Sequence, residues 1–110
     1  MPFRYNNPSN VLSPRNKIKN VQVLFDGGNK HGSYSVAKLK WNNNDVIGVR
    51  WNISENEAYN EDKKSGRKVS LGEPNSRGYS TWFILPDDLL SRLVKGGDLN
   101  EKLKDYLKER

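Results

Sequence analysis

The chain has 110 residues, 34% of them hydrophobic and 29% charged, with a formal net charge of +6 at pH 7; that length suits one domain. With no Cys and one His, it lacks the material for a disulfide scaffold, a thiolate nucleophile or a His-built zinc centre. No run reaches the ~18 apolar residues of a membrane span, and MPFRYNNPSN holds no apolar signal core, so the expectation is a cytoplasmic protein with no membrane partner and no metal or other cofactor.

Residues 1–20 read as a flexible basic arm, because Pro2, Pro8, Pro14 and five Asn break any periodicity. Val21 to Phe25 alternates as a strand and ends at the turn former Asp26-Gly27-Gly28-Asn29. Tyr34 to Trp41 alternates more clearly, with Ala37, Leu39 and Trp41 on one face and Tyr34, Val36, Lys38 and Lys40 on the other. The Asn42 to Asp45 turn closes a hairpin. Val46 to Ile53 resumes the pattern, with Ile47, Val49, Trp51 and Ile53 opposite Gly48, Arg50 and Asn52.

The polar stretch 54–77 is a long loop of the functional or mobile kind, with Val69-Ser70-Leu71 as a possible edge strand. Tyr79 to Leu85 reads as one further strand, apolar on both faces and therefore central or covered. Pro86 stops it, and Asp87 and Asp88 suit the start of a helix striped by Leu89, Leu90, Leu93 and Val94. Gly96-Gly97 ends that helix, and Asp98 with Glu101 opens a second one. The fold class expected is α+β: a twisted antiparallel sheet of four to five strands (β-β-β-loop-β) backed by two C-terminal helices, forming one domain over 21–110.

The positive charge is concentrated. Arg4, Arg15, Lys17 and Lys19 precede any acid, and Lys63, Lys64, Arg67 and Lys68 crowd six positions. Such patches attract phosphate by releasing condensed counterions. His31 sits in a glycine-rich turn with no specified nucleophile or orienting partner, so a catalytic role is not expected. Asp87-Asp88 is read as helix-start charge and not as a magnesium site.

Aromatic residues interleaved with cations are the ingredients of a single-strand-binding surface. Placing Trp41 and Trp51 together in the core turns Tyr34, Lys38, Lys40 and Arg50 outward as the contact surface. Lys63, Lys64, Arg67 and Lys68 would close over the strand from the loop.

The segments Lys38-Leu39-Lys40-Trp41-Asn42, Ile47-Gly48-Val49-Arg50-Trp51 and Gly66-Arg67-Lys68-Val69-Ser70-Leu71, followed by a helix, resemble the single-stranded-DNA-binding transcriptional coactivator family of the positive cofactor four type. The resemblance covers roughly residues 34–95. It implies a curved four-stranded antiparallel sheet, dimerisation through the helix region, and a sheet surface that grips single strands with basic and aromatic residues. Gly48 stands where that family's bacterial members carry Asp, and an insertion separates Leu71 from the strand before the helix. A second resemblance, of Asp26-Gly27-Gly28, Gly48 to Asn52 and Thr81 to Pro86, is to a small uncharacterised bacterial family and implies no function.

The function expected is non-enzymatic binding of single-stranded DNA or RNA by a homodimer, in transcription or replication. The opposing class is a protein-interaction module, such as an inhibitor, antitoxin or phage-encoded modulator, that binds an acidic partner. A small nuclease or toxin comes third.

Overall fold

The computed structural model describes residues 3–95 and 97–108. Its strands are β1 (Arg4–Tyr5), β2 (Ile18–Asp26), β3 (Tyr34–Trp41), β4 (Asn44–Trp51), β5 (Val69–Ser70), β6 (Asn75–Ser76), β7 (Tyr79–Ser80) and β8 (Phe83–Leu85). Two one-turn helices, α1 (Glu55–Ala58) and α2 (Glu61–Lys64), precede β5, and α3 (Asp87–Lys95) and α4 (Asp98–Lys108) end the chain. The expected α+β class holds: β2-β3-β4-β8 form an antiparallel four-stranded sheet, followed by two C-terminal helices. Gly96 and the side chain of Asp98, assigned above to the end of one helix and the cap of the next, lie outside the described residues. Among the described residues, no helix is long and apolar enough to cross a membrane.

The β3–β4 hairpin sets the geometry of everything else. Asn42 and Asn43 both take positive φ, +51° and +69°, and Trp41 pairs with Asn44. This is the two-residue turn whose backbone twist matches that of the flanking strands. The register then runs without slippage, placing Ala37 opposite Gly48, Ser35 opposite Arg50 and Tyr34 opposite Trp51.

One sheet face is closed. Val11, Ile18, Ala37, Leu39 and Trp82 are its buried centre, flanked by Val21, Trp41, Val46 and Ile84. Gly48 gives Trp82 its place: a Cβ there would lie 3.0 Å from Leu39 Cδ2 and 3.1 Å from Trp82 Cβ. The indole Nε1 donates to the Val11 carbonyl at 2.8 Å, which ties the N-terminal segment over the sheet.

Several expectations change here. The segment expected to be a flexible arm is packed, with Pro8 and Val11 buried and β1 paired in parallel with β5. Val69 therefore joins the N-terminus and not the main sheet. The strand expected over Tyr79 to Leu85 breaks into β7 and β8, because Thr81 N–H turns to the Pro74 carbonyl and Trp82 drops into the core. β8 is an edge strand, paired with β4 alone, and Phe83 on it is 59% exposed, so it is neither central nor covered on both sides. The helices do not back the sheet. α3 buries no residue and packs chiefly against α4, and the radius of gyration, 15.4 Å, exceeds the ~13 Å of a compact chain this long.

If Trp82 is the core and the helices are peripheral, Trp82→Ala should lower the unfolding free energy by about 3–5 kcal/mol. Val94→Ala, at a position 80% exposed on α3, should stay within about 0.5 kcal/mol. Urea denaturation of the two variants measures the contrast.

Candidate functional site

Arg50 is where the sequence reading and the structure part. Expected as an outward phosphate contact, it is 4% exposed and lies on the closed face, while Trp51, expected in the core, is 52% exposed. The alternation within each strand holds, but the faces of the two strands match the other way round. A hairpin loop with an even number of residues puts Trp41 and Trp51 on opposite faces, and Trp51 therefore joins Tyr34, Lys38 and Lys40.

The Arg50 guanidinium donates to the carbonyls of Leu71, Pro74 and Thr81. Burial lowers its pKa to about 10, opposed by the nearby Glu57 charge, so it stays cationic at neutral pH. Arg50 is a structural clamp on the 71–81 segment. Gly72 runs against it at φ +71°, where a Cβ would meet both Arg50 Nη2 and the Trp51 carbonyl.

Of the loop cations, Lys63 is likewise structural. Glu57 is the N3 residue of a capping box with Ser54, and its carboxylate also accepts from Leu71 N–H at 2.7 Å, Gly72 N–H at 2.9 Å and Lys63 Nζ at 2.9 Å. Burial would push the Glu57 carboxyl up. The N–H groups of Leu71 and Ser54, the Lys63 ammonium and the Gly72 N–H outweigh it and hold the carboxyl below its ordinary value. Lys63 also donates to the Val69 carbonyl. Arg67 and Lys68 converge on Asp62, at 2.8 and 3.6 Å, and Arg4 donates to the carbonyls of Gly66 and Arg67. Lys64 alone of the four stays exposed without an ion pair among the described residues. None of the four lines the aromatic groove described next.

The open sheet face is the candidate site. Phe25, Val36, Val49 and Phe83 form one row across β2, β3, β4 and β8. Tyr34 and Trp51 form the row beside it, continued by Glu73, which bridges to Trp51. The Phe25 and Tyr34 rings are 5.1 Å apart and the Tyr34 and Trp51 rings 6.2 Å apart, edge to face. All four aromatic side chains are about half exposed or more. Tyr34, Val49, Trp51, Glu73, Pro74 and Phe83 wall a groove of about 520 Å³.

Towards the Asn42–Asn43 turn the same face becomes basic. Lys38 stands between Gln22 and Ile47, and Lys40 lies between Lys19 and Asp45, with its ammonium 3.1 Å from the Asp45 carboxylate. The step from the Trp51 row to the Lys40 row is six residues along the strand, about 20 Å. Of the residues expected at the site, Tyr34, Lys38 and Lys40 share this face. Phe25, Trp51, Phe83 and Glu73 were missed; the even-numbered turn was the available signal for Trp51.

His31 is exposed, with Nε2 2.8 Å from a Glu55 carboxylate oxygen and its ring beside Tyr59. No group of three or more His, Cys, Asp or Glu among the described residues is arranged to hold a metal ion.

The inverted faces and the Glu57 carboxylate each set a stability expectation. Arg50→Ala should cost about 3 kcal/mol or more, because three inward carbonyls lose a charged donor, whereas Trp51→Ala should cost about 1 kcal/mol or less. The depressed Glu57 carboxyl contributes stability that is complete above its unfolded value of about 4.5 and is lost as pH falls through the lower folded value. Glu57→Gln should therefore flatten part of the acid limb in thermal melts taken across pH 2–6. An unchanged limb would contradict the role given to Glu57. Comparison of the chain with protein-family models, with curated proteins and with solved structures finds no match.

Proposed function

We propose that the open face of the sheet binds single-stranded nucleic acid, with the aromatic rows as the stacking platform and the basic end as the phosphate track. The observation that carries this reading is the concentration of Phe25, Tyr34, Trp51 and Phe83, all well exposed, on the one face that also presents Lys38, Lys19 and Lys40. Bases stack on exposed rings regardless of sequence, each contributing about 1–3 kcal/mol, while cations follow the backbone. A net charge of +6 adds long-range attraction for a polyanion. The reading keeps the function expected from the sequence and its setting, a cytoplasmic role at exposed strands in transcription or replication. The contact residues become Tyr34, Lys38 and Lys40 with the aromatic group.

Self-association belongs to the same proposal. Val94, Leu103 and Leu107 leave apolar surface on the α3–α4 hairpin, which a second copy of the chain would cover. This apolar surface is also what favours the second reading, a module acting through protein contact.

Fluorescence anisotropy with a labelled single strand tests the proposal. Affinity should fall steeply with salt, with a logarithmic slope near −0.7 per phosphate contacted. Trp51→Ala should lose about 1–3 kcal/mol of binding, and Lys19→Ala with Lys38→Ala should reduce the salt slope. Arg67→Ala with Lys68→Ala should leave the affinity nearly unchanged. Absence of binding at low salt would overturn the proposal and favour the protein-contact reading.

A further inference from the structure

We infer that the groove at Trp51 reads a guanine within the bound strand; the inference rests on the strand-binding reading above. Trp51 and Glu73 exchange both backbone hydrogen bonds, at 2.7 and 3.0 Å, as an isolated antiparallel pair. Side chains of directly opposed residues leave the same face of a sheet, with Cβ atoms about 5 Å apart. Glu73 is therefore held beside the indole, across from Tyr34.

The groove walls are otherwise the apolar Val49, Pro74 and Phe83 with the Tyr34 and Trp51 rings. Arg50 also lines it, but its guanidinium is committed to three carbonyls on the closed side. Glu73 is exposed and has no ion pair among the described residues. It is the charged group in the groove still free to meet a ligand.

A carboxylate repels phosphate, so this groove takes a base and not the backbone. The Glu73 carboxylate is also acceptor-only, so it selects bases by the donors on their edges. Guanine offers two adjacent donors, N1–H and the N2 amino group, which match both carboxylate oxygens. Adenine and cytosine offer one amino group beside a ring nitrogen that is itself an acceptor. Thymine and uracil offer a single N3–H between two carbonyls. The order expected is guanine first, then adenine and cytosine, then thymine or uracil.

The test uses thymidine strands of roughly 12 nucleotides, with one central base replaced by guanine, adenine or cytosine, titrated at low salt. The guanine strand should bind the unmodified chain about 5- to 160-fold more tightly than the all-thymidine strand, the range of one good bidentate base contact. Glu73→Gln should bring the strands to within about threefold of one another, because the amide turns one acceptor into a donor. Equal affinities for the unmodified chain, or a preference that survives Glu73→Gln, would overturn the inference while leaving the stacking platform intact. Failure of every strand to bind would overturn the platform and this inference with it. Guanosine monophosphate displacing the strand at equal concentration would make a free nucleotide the ligand and would overturn the strand-borne assignment.

Discussion

Arg50 holds one guanidinium among the carbonyls of Leu71, Pro74 and Thr81, and the rest of the molecule is arranged around that choice. A buried cation without acceptors would cost several kcal/mol. The chain between β4 and β8 must therefore return over the closed face and present its carbonyls there. Gly72 permits the close passage, and the Trp51–Glu73 backbone bridge holds the returning segment at the sheet margin. With Arg50 directed inward, strand alternation forces Trp51 outward beside Tyr34. The clamp and the exposed aromatic face are consequences of a single register.

The closed face is consequently roofed by irregular chain and not by helices. Trp82 and Val11 supply the apolar part of the roof. Glu57 organises the polar part by gathering Ser54, Lys63, Leu71 and Gly72 onto one carboxylate. A second polar knot fixes the other end of the sheet. Asn52 accepts from Ser35 Oγ at 2.8 Å and donates to the Gly28 carbonyl and to Asp26, whose other carboxylate oxygen takes the Tyr5 hydroxyl. Burial, followed by that hydrogen bond and the Asp26 charge, pushes the Tyr5 phenol up to about 12. These two knots tie down Asp26, Ser54, Glu57 and Lys63, polar residues of segments that look, in composition, like free loops.

What could be read from the sequence follows this division. The three long strands, their alternation and the Asn-rich turn were legible because they are encoded locally, by period two and by residues that tolerate positive φ. Parity between β3 and β4 is also encoded, in the even-numbered turn, and it separates Trp41 from Trp51 although both have the composition of core residues. The docking of Pro8 and Val11 was not legible, since the pair Val11-Leu12, set among prolines and asparagines, has no periodicity to mark it. The break at Trp82 was hidden for a similar reason: Tyr79 to Leu85 has strand composition, and only the competing pull of Arg50 and Pro74 on Thr81 interrupts it. Ser54 and Glu57 carry a capping-box spacing, but the second role of Glu57 depends on residues arriving 14 and 15 positions later. The aromatic rows join Phe25, Tyr34, Trp51 and Phe83 from four strands, so no local window contains them.

The most direct test is a map of amide and indole chemical-shift changes in the 15N-labelled chain, titrated with a single-stranded oligonucleotide at low salt. The account predicts shifts at the Trp51 indole and at the amides of Tyr34, Val36, Lys38, Val49 and Phe83, with the Trp82 indole and residues 63–68 unmoved. Shifts confined to residues 63–68, or none on the sheet, would contradict it.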